Sequence, residues 1–591
     1  MPPARNRPNS LDLSLALNPV IGVISKVEQA ATVEEFFELF KTPWEYYVPG
    51  RTYDVIVATT SDIPTIETRL LLVFGSETKS TDAVNRIAIR SKNTGGFVHF
   101  RGAGLPIYGE LATFEEGSED LPRLAAGSGT AELRVVSKTG AIMIRAGYDL
   151  FQEVQLLLSA GQPIEFAHIP TLEMHILMLR NWILGAGIPL LEIPPAPAGH
   201  GFTVCLTHDI DFVGIRNHKF DHTMWGFLYR STVGALSRFF RKRISFDRLL
   251  ECWRAAASLP FVYLGWVKDF WIPFEWYLRV EKNLPATYFV IPFKRRSGEQ
   301  VPGKHASRRA SAYDVSDILC WTTKLQAEGC ELGVHGIDGW HSVERGRAEL
   351  TNIAEISGET AIGVRTHWLL QNSGTASVLD EAGYSYDSTA GYNETIGYRS
   401  GTTQVFRPQS AKALLELPMH IQDGAMFYGN RLNLSEPQAH DRCKQLIGNA
   451  RQFGGVLTVL WHDRSHGPER FWGDFYISLV EELKSSDAWF ATAGQAVSWF
   501  KKRRSVKFER QGAGNSGQIS PSSKEENAPT SMRLRVYRPS SHENPTNSSG
   551  RGAPTFTDVS WDTTTSVEFD LGLCTFSELP DSAALSEISS S

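Results

Sequence analysis

The run Phe202-Thr203-Val204-Cys205-Leu206, followed at once by Thr207-His208-Asp209-Ile210-Asp211, decides the reading of this chain. Its first five residues are apolar or β-branched, the pattern of a buried strand, and two carboxylates close it. Side chains alternate faces along a strand, so Asp209 and Asp211 share one. Buried charges need partners. The two acids therefore either converge on one metal ion or divide into a base and a ligand. An Asp at a strand end also caps turns and helices, so the pentapeptide alone leaves both readings open.

Working outward, later apolar runs end in the same way. Glu331-Leu332-Gly333-Val334 leads into His335, Ala361 to Val364 into Arg365 and His367, and Val456 to Trp461 into His462 and Asp463. Leu414 to Met419 reads as a further strand, followed by His420 and Asp423, which either join the site or satisfy one another. One histidine after one strand is ordinarily a loop residue. Repetition over several strands is the arrangement of α/β barrels, whose catalytic residues sit at the C-terminal ends of parallel strands.

Taken in order, Thr207-His208-Asp209-Ile210-Asp211, Ala286-Thr287-Tyr288-Phe289-Val290, Glu331 to His341, Gly363-Val364-Arg365, Tyr386-Asp387-Ser388 and Leu460-Trp461-His462 resemble the motif series of the polysaccharide deacetylase (NodB-homology, carbohydrate esterase family four) superfamily. The resemblance covers about Phe202 to Lys502 and points to a divergent subgroup with an N-terminal accessory domain. It implies a distorted (β/α) barrel that removes acyl groups from amino sugars with a divalent metal, zinc being the expected one.

Carried over residue by residue, the resemblance gives Asp209 as base and Asp211 as metal ligand, although Ile210 separates two acids that are adjacent in the family. His335 ends its strand and is the first histidine ligand. The second is expected at His341, six residues on where the family has four, with His367 and Asp338 as competing positions. An Asp-His-His set suits zinc and leaves a position for water. Arg365 matches the arginine that orients the catalytic Asp. His462 matches the histidine that protonates the leaving amine, with Leu460 and Trp461 as the apolar side of an acyl pocket. The loop around Tyr386-Asp387-Ser388 is the family-like place for an oxyanion N–H.

At 591 residues the chain exceeds one compact core, and a hydrophobic fraction of 42% allows substantial burial. A net charge of −6 gives no global nucleic-acid signal. Six scattered cysteines show neither metal spacing nor a disulfide framework, no secretory pattern opens the chain, and no stretch is long and apolar enough to span a bilayer. A cytoplasmic location is the expectation, and together with the resemblance it implies an N-acylated sugar or glycan precursor as substrate.

Residues 1–198 read as an accessory α/β domain, with strands at Tyr53–Ala58, Thr68–Phe74 and Ala141–Ala146 and a helix at Tyr148–Ser159; the proline-rich Ile188 to Ala198 reads as its linker. Residues 199–505 form the barrel. Residues 506–591 read as a low-complexity, disordered tail: Gly512 to Ser549 is rich in Ser, Asn, Pro and Gly, and the acidic final stretch from Asp558 to Glu587 is either disordered or a weak docking tail. Gly391 to Gly401 is either a substrate loop or a connector. Lys501 to Arg504 reads as a solvated helix end. Met224 to Arg243 is a basic amphipathic stretch that either packs on the barrel or lies on the inner membrane surface as a peripheral contact. Two other functions compete with deacylation: a non-catalytic carbohydrate-binding relative, and hydrolysis of another C–N bond on the same barrel.

Overall fold

The computed structural model describes residues 20–100, 102–115, 125–126, 129–299, 306–510, 516–521, 530–539, 555–562, 566–570 and 575–578. At its centre is a parallel sheet. Its strands are β1 (Phe202–Ile210), β2 (Ala286–Val290), β3 (Glu331–Gly336), β4 (Gly363–Thr366), β5 (Tyr386–Asp387), β6 (Leu415–Glu416), β7 (Ile421–Gln422), β8 (Val456–Leu460) and β9 (Ala488–Phe490). They pair in the order β6-β5-β4-β3-β2-β1-β8-β7, and β9 adds to β1. Every one of these pairings is parallel. With β1 beside β8, the order is that of a (β/α) barrel opened between β6 and β7, as expected.

Strands β1 to β8 are buried on both faces, as parallel sheets covered by crossover helices must be, which is why the longer ones read as continuous apolar runs. Helices Leu319–Ala327, Val343–Ser357, Glu436–Phe453 and Gly473–Lys484 cover the outside. Close approach is built in at Gly363, where a Cβ would stand 1.9 Å from the Tyr386 ring. Each strand ends at one rim, so their C-terminal residues meet there.

Before the barrel lies a second α/β unit. Its sheet holds Ile21–Ile24, Trp44–Tyr46, Val55–Ala58, Leu70–Phe74, Glu132–Val136 and Ile142–Ala146, and Leu150–Leu157 is helical. A long hairpin, Ile89–Phe100 with Ala103–Phe114, packs against its core through Val98, Leu105, Ile107 and Leu111. This unit is fastened to the barrel. Arg504 makes a two-pronged pair with Glu35 at 2.8 and 2.7 Å, and Arg503 donates to the carbonyls of Ile193, Glu38 and Leu39. The reading of Lys501 to Arg504 as a solvated end is therefore corrected: its guanidinium groups satisfy backbone and carboxylate across the domain contact.

Strands also lie within the proline-rich linker and beyond the barrel. Leu190–Glu192, inside the proline-rich segment, is a strand paired with Met532–Arg538, which in turn pairs with Thr555–Trp561. Leu191, Ile193, Met532, Leu534, Val536 and Trp561 form a common buried cluster. The described part of 506–591 includes the strand Met532–Arg538, in which Met532, Leu534 and Val536 alternate with Arg533 and Arg535 and bury one face.

The amphipathic stretch is found as helix His222–Tyr229, a π turn Arg230–Gly234 and helix Ala235–Phe240. Among the described residues, no helix is long and apolar enough to cross a membrane.

Candidate active site

At the rim of β1, alternation does what the sequence implies. Thr207, Asp209 and Asp211 face inward, whereas His208 turns into the core, where its ring bonds the Trp461 carbonyl at 3.0 Å and Glu281 at 2.8 Å. A cavity of about 320 Å³ opens over this rim, lined by Asp209, Asp211, His335, His367, Leu460 and His462 among others.

Asp211 meets two imidazoles. Its Oδ1 lies 3.3 Å from His335 Nε2 and 3.5 Å from His367 Nε2, and these three side chains form the metal-type cluster of the described residues. The Nδ1 of His335 is 3.0 Å from the Arg365 carbonyl, an acceptor that places a proton on Nδ1 and turns Nε2 toward the carboxylate. Burial first, with His335 and Arg309 adding to it against the pull of Asp211, drives His367 well below the ordinary histidine value, so it is neutral. Burial would raise Asp211, but the hydrogen bond with His335, and then the charges that His367, His335 and His462 carry when protonated, hold it below the usual carboxylate range, so it is the anion of the cluster. Asp211 Oδ1 is buried without a hydrogen-bond partner. Lone pairs gathered around an unsatisfied carboxylate oxygen call for a cation between them.

His341 and Asp338 stay outside this group. They face one another at 3.3 Å, while Asp338 also accepts the Glu299 N–H. The expected position of the second histidine is thus filled by its rival, His367. The reason is local: β3 runs on through Gly336, and the turn that follows spends the N–H groups of Ile337, Asp338 and Gly339 on Glu349, carrying His341 away from the rim. His367 instead comes directly off β4, where Trp368 and Leu369 adopt φ of 68° and 54°. Val213, just beyond Asp211, is at φ 62° and is held by Asp463, whose Oδ2 accepts the N–H groups of Phe212 and Val213. Non-glycine residues in this region cost about 1–3 kcal/mol each and persist where surrounding structure enforces them.

The base and acid positions each have a holder. Arg365 Nη1 donates to Asp209 Oδ1 at 3.0 Å and to Thr207 at 2.9 Å, and its other nitrogens bond Ser388. His462 Nδ1 lies 2.5 Å from Asp423 Oδ1, and the His462 N–H bonds Asp423 Oδ2 at 2.9 Å. Burial alone would lower the His462 pKa, but the charge and hydrogen bond of Asp423, followed by Asp211 and Asp209, carry it up to about 10. His462 is a cation at neutral pH. Asp423 therefore joins the site, whereas His420 does not, its ring serving Thr402 and Thr458.

Three smaller expectations divide. Leu460 lines the cavity, but Trp461 is in the core, stacked on Phe475. The Ser388 N–H is committed to the Val364 carbonyl, so it is not an oxyanion donor. Gly391 to Gly401 is mainly a buried connector that bonds the N-terminal unit through Gln162, Ala167 and Leu172; within it, Asn393 reaches the cavity. The rim also carries arginines, of which the sequence singled out Arg230 alone, as part of the amphipathic stretch. Arg230, Arg431, Arg464 and Arg470 line it, with Arg464 lying over the Phe212 ring at 3.6 Å.

No family model and no curated protein matches the chain. Among solved structures, the chain is similar to a probable polysaccharide deacetylase from Pseudomonas aeruginosa PAO1, at 15% identity over 52% of this chain and 94% of that one, with a TM-score of 0.32. Agd3, a novel carbohydrate deacetylase, is 10% identical over 95% of this chain and 100% of its own, with a TM-score of 0.37. Puue allantoinase is 14% identical over 52% and 93%, with a TM-score of 0.30. At scores this low the likenesses carry no functional argument, and the geometry of the rim has to supply it.

Proposed function

We propose that this chain is a metal-dependent hydrolase that removes an N-acyl group, acetyl or formyl, from an amino sugar or glycan precursor. The observation that carries the reading is the meeting, in one cavity, of Asp211, His335 and His367 with a separately held carboxylate, Asp209, and a separately held imidazolium, His462.

Asp211, His335 and His367 would hold the divalent ion, zinc by the chemistry of an O/N/N donor set. When bound, such an ion supplies Lewis acidity, polarising an acyl carbonyl and making water more acidic. The chain's own groups do the proton work. Asp209 keeps Oδ1 on Arg365 and has Oδ2 left to accept a proton from water. His462, cationic and fixed by Asp423, donates a proton to the departing nitrogen, so that it leaves as a neutral amine. Leu460 gives a small acyl group an apolar wall.

The complete acid and base set favours turnover over a purely binding role. Hydrolysis of another C–N bond remains the competing chemistry on the same residues. The test is to load purified protein with zinc and follow release of acetate, formate and free amine from a panel of N-acetyl and N-formyl amino sugars, before and after chelation. Chelator-sensitive amine release is the expected result. Absence of zinc binding, or turnover of cyclic amides and ureides with none of the sugars, would overturn the reading.

A further inference from the structure

Among the described residues, 22 large apolar side chains are exposed, and half of them fall between Phe220 and Val267. This segment is the long insertion between β1 and β2, and its surface is of an unusual kind. One side of its helices is already spent on packing: Met224, Phe227, Ala255, Leu259 and Val262 are buried with Trp271, and Ala235, Leu249 and Cys252 form a second cluster. An ordinary surface helix would then turn polar residues to water. Here the outward stripe is apolar again.

Helical spacing shows that these residues are grouped. At about 100° per residue, Phe246, Trp253 and Phe261 on helix Phe246–Tyr263 fall within an arc of about 80°, and Leu264 continues it. Trp225, Tyr229 and Val233 repeat every fourth residue on the helix before it. Phe240 and Trp266 are each 74% exposed. The two helical stretches pack together, with Phe239 and Phe246 rings 6.0 Å apart.

Charge says what covers the face. From Lys219 to Lys268 there are nine Lys and Arg against three Asp and Glu, in a chain whose net charge is −6. Arg241, Lys242 and Arg243 are all exposed at the turn between the two helical stretches. Exposed Trp, Tyr and Phe beside a basic cluster, on a chain otherwise acidic, match an anionic lipid surface: aromatic rings insert at headgroup level and cations meet lipid phosphates. We infer that Phe220 to Val267 is a docking face for an anionic membrane surface. His222, Thr223 and Arg230 of the same segment line the catalytic cavity, so docking brings the cavity mouth to the lipid headgroups.

Co-sedimentation of the full chain with phosphatidylcholine vesicles, with and without phosphatidylglycerol, tests this directly and needs no substrate. Binding to the phosphatidylglycerol vesicles, weakened by salt, is expected. Replacing Arg241, Lys242 and Arg243 by Gln should weaken it about a hundredfold, at about fivefold for each cation near the surface. Trp225→Ser with Phe240→Ser and Trp266→Ser should remove the salt-resistant remainder, with circular dichroism and thermal unfolding confirming that these exposed changes leave the fold intact. Failure of the unaltered chain to sediment with anionic vesicles at low salt overturns the proposal, as would undiminished binding by both variants. Sedimentation velocity showing a dimer that the aromatic variant dissociates would assign the face to a second copy instead.

Discussion

Arg145 and Arg365 are both fully buried, both stand on sheet strands and both face an aspartate, yet they do opposite things. In the N-terminal unit, Arg145 grips both oxygens of Asp82, at 2.9 and 3.3 Å, and gives its remaining N–H groups to the carbonyls of Gly75, Glu77 and Ala146. The Lys79 N–H takes up what is left of Asp82. That pair is closed. In the barrel, Arg365 bonds one oxygen of Asp209 and leaves the other at the cavity, 3.8 Å from His335 Nε2. A buried Arg–Asp pair is a lock when all its lone pairs are consumed and a held base when one remains free beside a space that water can enter.

The largest effect should come from the cluster that gives Asp209 its surroundings. Asp211→Ala, His335→Ala and His367→Ala should each lose zinc, by elemental analysis, and lose turnover to background, while Arg145→Met should keep its zinc. Retained metal in His367→Ala alone would return the second histidine to His341.

Next come the two aspartates compared above. Asp209→Asn should cut turnover by on the order of a hundredfold or more with zinc retained. Asp82→Asn should instead strand a buried guanidinium and cost about 3–5 kcal/mol of stability in denaturant titrations, with activity per folded molecule unchanged. A stable but inactive Asp82→Asn protein would break the comparison.

A third, smaller effect lies in the pH profile. The His462 pKa of about 10 exceeds the ordinary value of about 6.5. The His462–Asp423 pair therefore adds stability that is fully present below about 6.5 and is lost as pH rises through about 10. Activity that needs the His462 proton should fall on the alkaline side as that proton is lost. Asp423→Asn should shift the alkaline limb of kcat toward neutral pH and lower turnover at neutrality on the order of tenfold. An unmoved alkaline limb would remove His462 from the acid role. Smallest of all, His341→Ala should keep zinc and stay within about threefold of full turnover, since its ring contacts Asp338 and Trp340 and none of the cluster around Asp211.

Much of the barrel was legible. Val456 to Leu460 and Phe202 to Leu206 are apolar because parallel strands are covered on both sides, and that composition is visible without any coordinates. Arg365 beside Asp209 was legible through the motif order. The strand Met532–Arg538 was equally readable, its apolar residues alternating with arginines, but the Ser- and Asn-rich segments around it gave the whole region the look of disorder. Lys501 to Arg504 misled for a different reason: a run of charge looks solvated unless its partner is known, and Glu35 lies 469 residues from Arg504.

Alternation along a strand is a property of covalent geometry, so the amino-acid sequence alone put Asp209 and Asp211 on one face and His208 on the other. It also set where strands end, and hence which polar residues reach a rim. Whether His341 or His367 turns toward Asp211 depended on the turn after β3 and the backbone at Trp368, and His462 received its charge from Asp423 only because β7 lies against β8. Those choices come from strand order and from turns held by distant side chains, and a local pattern of residues contains neither.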